Sequence, residues 1–300
     1  MAHSNMSDLA ETHTARTVLE EANDAHGTRF QLDHRFDDGV QSGAWHLTDV
    51  TGRSAVLKWS PRRDWAPRIE RAAEAVAKIR AAGYPTPAWL AVGTTTSGFG
   101  YQIQDFVPGR SPEQVTVREA RLLIDVLETH AGLDPDPQRC WSRYVMAQMT
   151  DHHEDLCQRV ARTGPTGRLL VEACERLLTV HGPVALPTGD LVHGDFRPGN
   201  ILVDADRVTG VIDIEALGSG TRVFDYATLL SAHGITPEAM HLLCVAGEQV
   251  AGPAALAYCF AHVALDLADF VHQRNLQPGI QNVSKLVERV VILQSRADEA

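Results

Sequence analysis

Three hundred residues with 44% hydrophobic content suffice for one large domain or two lobes with a substantial core. A net charge of −11 argues against a nucleic-acid partner, whose phosphates call for clustered Lys and Arg, and suits attraction of cationic small molecules. Dispersed cysteines (Cys140, Cys157, Cys174, Cys244, Cys259) without a CxxC pair, an acidic N-terminus and no uninterrupted apolar run of spanning length predict a soluble, cytoplasmic chain with reduced thiols and no signal peptide or membrane partner.

Ser7 to His26 reads as an amphipathic helix with Ser7 as N-cap. "RFQLDHRF", "AWHLTDV" and "SAVLKWS" then alternate in the manner of antiparallel strands, separated by "DDG", "SG" and "TG". "APRIERAAEAVAKIRAAG" follows as an Ala-rich helix closed by Gly83, and "AWLAVGTTTSGFGYQIQDFV" supplies two further strands. The first part, residues 1–107, is therefore expected to be a small sheet of about five strands with a helix against it. "PGRSPEQ" punctuates the chain at Pro108. Beyond it, residues 108–300 are expected to be mostly helical: Val117 to Ala131, Trp141 to Thr163, Gly167 to His181, Pro237 to Ala251 and Pro253 to Asn275.

One segment interrupts the helical sequence. "LVHGDFRPGNILVDADRVTGVIDIEALGSG" runs from Leu191 to Gly220 and sets Asp, Asn, His and Arg on turns between short apolar runs. If strands from Ile201 and Val211 pair around "DADR", Asn200 and Asp213 come together at one end. Their oxygens are hard donors suited to Mg²⁺, and Asp195 is left free to act as a base. The simpler alternative is a pair of Asx turns flanking an ordinary hairpin.

His193-Gly194-Asp195, Asn200 five positions on, and then Asp213 resemble the HGDxxxxN and IDxE signature of the aminoglycoside phosphotransferase family, small-molecule kinases of the protein-kinase-like fold. The resemblance runs from about Phe30 to Leu230 and implies an α+β, two-lobe architecture. In this reading a small antiparallel N-lobe sheet with one helix precedes a larger, mostly helical C-lobe. It implies Asp195 as catalytic base, Asn200 and Asp213 as Mg²⁺ ligands, and ATP or GTP as donor. Arg197, two residues beyond the base, sits where serine/threonine kinases carry a Lys toward the γ-phosphate. Lys58 in "AVLKW" takes the place of the lysine that grips the α- and β-phosphates; a cation on an apolar strand is costly unless paired. Its expected partner is Glu74 or Glu70 on the following helix. "DDGVQSGAWHL", with Gly39 and Gly43, stands at the nucleotide-covering loop, and "QIQDFVPG" at the hinge, where backbone groups at Asp105 and Val107 would meet the purine. Asp225 and His193 are expected to brace the catalytic loop, Glu215 to support the metal ligands, and His130 to be structural.

The implied activity is phosphoryl transfer to a hydroxyl of an antibiotic or similar metabolite. Choline- and homoserine-type kinases of the same family are an alternative. A protein kinase is disfavoured because Asp213 is followed by "IEALGSG" and soon by Asp225, leaving no room for an activation loop. An inactive nucleotide-binding module is disfavoured by the presence together of Lys58, Asp195, Asn200 and Asp213. For the acceptor, His262, Asp266 and Asp269 share one helical face by their spacing. His272 lies further along the same segment, and Asp151, His152, His153 and Glu154 form a second candidate group. A polar stripe of this kind is also the appearance of any surface helix.

Overall fold

The structure is a computed structural model that describes residues 2–36, 43–181 and 184–298. It divides into two compact units, Met1–Gly109 with Thr209–Ala216, and Arg110–Val208 with Leu217–Ala300. The first boundary falls two residues beyond the expected one, but Thr209–Ala216 was expected with the helical part and groups instead with the sheet. Bonds hold it there: Thr209 Oγ1 donates to the Pro108 carbonyl at 2.6 Å, and the Val211 N–H donates to the Pro85 carbonyl.

In the first unit, α1 (Ala2–His26) precedes β1 (Gln31–Arg35), β2 (Ala44–Thr48), β3 (Ser54–Ser60), α2 (Trp65–Ala81), β4 (Trp89–Thr94) and β5 (Gly100–Asp105). The helix α1 starts five residues before Ser7, so Ser7 lies within it and is not its cap. The strands form one antiparallel sheet in the order β1-β2-β3-β5-β4. Strand alternation sends Trp45, Leu47, Ala55, Leu57 and Ile103 to one face, where Ala15, Val18, Leu19 and Ala22 of α1 cover them. The register sets Ala44 opposite Lys58 and Lys58 opposite Gln102, which places these residues on the other face with Val56 and Gln104. The amphipathic α2 buries Ile69, Ala72, Val76 and Ile79, and the chain leaves it through Gly83 at φ +92°.

In the second unit, α3 (Val117–Thr129) opens on a Thr116–Glu119 capping box. The helix expected over Trp141 to Thr163 is two, α4 (Trp141–Asp151) and α5 (His153–Arg162), because the chain breaks at His152 (φ −123°, ψ 1°). After α6 (Pro165–His181) come β6 (Asp190–Val192), the strands β7 (Ile201–Asp204) and β8 (Arg207–Val211), the latter leading into the first unit from Thr209, and β9 (Gly218–Gly220), which pairs antiparallel with β6. Three helices complete the unit: α7 (Val223–Ser231), α8 (Pro237–Gln273) and α9 (Gln277–Asp298). α8 is interrupted at Ala251 and Gly252, just before Pro253, as the sequence led us to expect. By length and composition α8 could cross a membrane, but 72% of its apolar window is buried inside the protein, which makes it a core helix. α9 was not anticipated; it buries Val283, Leu286, Val290 and Leu293 at helical spacing. All five cysteines are free and buried.

Candidate active site

The loop after β6 is built around a buried carboxylate. Asp225, in the first turn of α7 and fully buried, accepts the backbone N–H groups of His193 (2.8 Å) and Gly194 (3.0 Å). Burial is the largest influence on it and pushes its pKa up to about 6, against the charge of His193 and the two N–H bonds. His193 is itself buried, and its Nδ1 accepts the N–H of Asp195 at 3.2 Å. Gly194 has φ +86°, and a Cβ there would collide with the indole of Trp141, so both backbone and space require glycine.

This frame presents Asp195, Arg197 and Asn200 together. The Asp195 carboxylate is half-buried; its Oδ2 accepts Asn200 Nδ2 at 3.0 Å, and its Oδ1 pairs with the Arg197 guanidinium. Asn200 Nδ2 also donates to the Asp195 carbonyl at 2.9 Å, so the amide nitrogen is committed to Asp195 and Oδ1 is the group left to accept or ligate. A short 3₁₀ turn, Pro198–Asn200, produces this return, closed by the Asn200 N–H on the Arg197 carbonyl (2.9 Å). The Arg197–Asp195 pair is half exposed, a setting in which ion pairs contribute under about 1 kcal/mol and break readily.

In the first unit Lys58 is buried, and its ammonium pairs with Asp213 and, at 3.1 Å, with Glu215. Neither Glu70 nor Glu74 reaches it. Both lie on the exposed side of α2, where Glu70 accepts the Thr94 hydroxyl at 3.4 Å, because α2 turns Ile69, Ala72, Val76 and Ile79 inward. Burial pulls the Lys58 pKa down, but the charges of Glu215 and Asp213 outweigh it and hold the ammonium protonated. Burial raises the Glu215 pKa; Lys58 opposes that effect and Asp213 adds to it. β8 stops at Val211, and Ile214–Ala216 is a 3₁₀ turn. At the bend Asp213 has φ +64°, sparsely populated for a residue with a side chain and tolerated by Asp better than most. Its carboxylate is half exposed.

The remaining expected positions divide. At the end of β5, Asp105 pairs with Arg53 (2.6 Å) and gives its N–H to the Ala88 carbonyl (2.8 Å), so that N–H is not open to a purine. The Val107 N–H has no partner among the described residues. Gly43 packs against Glu11 and Arg35, and Gly39 lies outside the described residues. His130 bonds the Val126 carbonyl at 2.7 Å within its helix, a local role.

On α8, His262 is buried against Tyr144 and Phe224, and its Nδ1 has no hydrogen-bond partner among the described residues. Burial, with a smaller push from His153, lowers its pKa to about 4, so it is neutral at pH 7. Asp269 is spent on Arg159 (2.8 Å) and Gln273 (2.9 Å), whereas Asp266 keeps an open side; partial burial and then the charge of Asp269 raise its pKa. His272 bonds the Ala268 carbonyl at 2.8 Å, His153 lies 3.5 Å from the Cys157 thiol, and Asp151, His152 and Glu154 are exposed. Sequence reasoning missed the aromatic wall here. Trp141, packed over Gly194, meets Tyr144 edge-on at 5.4 Å, and Tyr144 in turn meets His262. The signal was present as "WSRY" at the start of α4.

No curated protein sequence matches the chain. Solved structures do. Aminoglycoside phosphotransferase APH(4)-Ia is 18% identical with a TM-score of 0.64, covering 93% of this chain and 98% of that one. Macrolide 2'-phosphotransferase MphH from Brachybacterium faecium is 18% identical with a TM-score of 0.60, covering 90% and 97%. Amicoumacin kinase hAmiN, solved with AMP-PNP, Ca²⁺ and Ami, is 18% identical with a TM-score of 0.60, covering 91% and 92%. At this identity the likenesses show the kinase-like fold. The sequence model of the Phosphotransferase enzyme family (APH) matches residues 34–259, most of the chain's length, and this chain is a member of that family.

Proposed function

We propose that the chain is a small-molecule kinase that transfers the γ-phosphoryl group of ATP or GTP to a hydroxyl of an antibiotic-like acceptor. The observation that carries this reading is the Asp195 constellation: a carboxylate oriented by Asn200 and Arg197, on a loop whose backbone is tied to a buried Asp225. Solved relatives hold hygromycin B or amicoumacin together with a nucleotide, which supports both the acceptor class and the donor.

Asp195 orients the acceptor hydroxyl and takes its proton late, as the bond to phosphorus forms, because a carboxylate is too weak to remove it early. Lys58 holds the α- and β-phosphates and exchanges part of its pairing with Glu215 for them. Arg197 swings from Asp195 to the transferring group, a move that its half-exposed ion pair allows. Asn200 Oδ1 in one unit and the Asp213 carboxylate in the other are each hard oxygen donors of the kind Mg²⁺ takes, and Glu215 steadies Asp213 through Lys58. When bound, the metal neutralises phosphate charge. His262 and Asp266 contribute to acceptor recognition, Asp269 by way of Arg159, and Val107 offers an N–H to the purine. A cytoplasmic location suits an enzyme that draws on nucleoside triphosphate.

A labelled-phosphate screen of ATP and GTP against aminoglycoside, macrolide, peptide and nucleoside antibiotics, with choline and homoserine alongside, tests the reading. Asp195→Asn is expected to lower turnover on the accepted substrate by about 10²-fold or more while nucleotide binding persists. Near-normal turnover in that variant would remove Asp195 from its role.

A further inference from the structure

We propose that Asp33, His34 and His46 form a binding site for a divalent transition metal of the zinc class, separate from the residues assigned to phosphoryl transfer. One ligand atom from each of the three residues lies within 4.8 Å of the other two. The carboxylate oxygen is 3.2 Å from His34 Nδ1 and 3.1 Å from His46 Nδ1.

A regular strand could not make this arrangement, because consecutive residues such as Asp33 and His34 point to opposite faces. The β1–β2 register explains how it arises. Leu32 stands opposite Leu47 and Arg35 opposite Trp45, so Asp33 and His34 together oppose the single residue His46. This is a β-bulge, which re-aims one side chain and brings both residues of β1 to bear on the same partner. Aromatic packing steadies the imidazoles: they stack with centroids 5.0 Å apart, Phe36 lies edge-on to His34 at 5.4 Å, and Phe106 lies edge-on to His46 at 5.4 Å. His46 is thereby largely buried, while Asp33 and His34 are more than half exposed, so the outer side is open to water ligands.

Two imidazole nitrogens and one carboxylate oxygen match Zn²⁺ and its neighbours, with an open position to fill, and do not match Mg²⁺, which takes oxygen donors. The His46–Asp33 hydrogen bond and the His34–Asp33 contact give way when a cation binds among the three groups. On binding, each neutral ring carries its proton on Nε2 and turns its Nδ1 lone pair to the metal. The bulge then becomes a clamp joining β1 to β2.

The test is a calorimetric titration of the full chain, freed of any histidine tag, with ZnCl₂, with Co²⁺ absorption in parallel. Saturable uptake of one Zn²⁺ per chain is expected, weakened at least about tenfold in each of Asp33→Asn, His34→Gln and His46→Phe, with loss of the Co²⁺ ligand-field band. His34 is exposed, so His34→Gln keeps the test sound if His46→Phe fails to fold, and circular dichroism checks each variant. The chain has 14 histidines in all. Absence of uptake in the wild type, or unchanged uptake in both His34→Gln and Asp33→Asn, overturns the proposal.

Discussion

Lys58 shows how a residue's need for a partner can be readable while the partner is not. Its position on a buried strand demanded a counter-charge, but two candidate glutamates lay on the next helix and neither points the right way. The partners come from the segment that returns to the sheet after β8, more than 150 positions along the chain. Nothing in local spacing announces a contact of that range. Replacing Glu215 leaves a buried ammonium with Asp213 alone, so Glu215→Gln is expected to destabilise the protein by about 1–3 kcal/mol in urea unfolding. The same variant should raise the nucleotide KM, since Lys58 then leans on Asp213. The surface variant Glu74→Gln is expected to stay within about 0.5 kcal/mol of wild type. Equal effects of the two variants would restore Glu74 as the partner.

At the scale of elements, the loop between β6 and β7 trades stability for order. An ionised Asp225 receives the two N–H groups more strongly than a protonated one, yet burial disfavours that ionisation. The carboxyl pKa is raised from 3.8 to about 6 on folding, so between these values the folded chain binds more protons than the unfolded one. The stability contributed by this group is therefore complete below about pH 4 and lost as pH rises through 6, a change of roughly 3 kcal/mol. Measured against Asp225→Asn, which cannot ionise, the wild type should lose that margin between about pH 3.5 and 7 in urea melts. A pH-independent difference would show that Asp225 ionises normally. This loop was also the most legible element, because His193, Asp195 and Asn200 lie within eight residues and turn geometry alone brings them together. The break at His152, the helix α9 and the bulge at Asp33–His34 were not legible. Each depends on what packs against the segment, and local composition is equally compatible with an unbroken helix, a tail or a regular strand.

For the whole molecule, composition excluded more than it specified. A net charge of −11 and interspersed apolar pattern pointed away from nucleic acid and toward two lobes, but the assignment of Thr209–Ala216 to the sheet-bearing unit followed from tertiary bonds. That assignment has a consequence for stability. A nucleotide that engages Lys58 draws on a residue already tied to Asp213 and Glu215, so its binding energy is felt by the folded chain and not only by a surface loop. At 100 times its Kd, such a ligand adds about 2.7 kcal/mol, a rise in Tm on the order of 5 °C for a chain this size. Thermal melts with Mg²⁺ and ATP or GTP should show this rise with the preferred donor and a smaller one with the other. Lys58→Met should lose most of it, and Asp195→Asn should keep it, because the role proposed for Asp195 is toward the acceptor hydroxyl and not the donor. A full shift in Lys58→Met would place the phosphates elsewhere and leave the buried lysine as a purely structural member of its ion pairs.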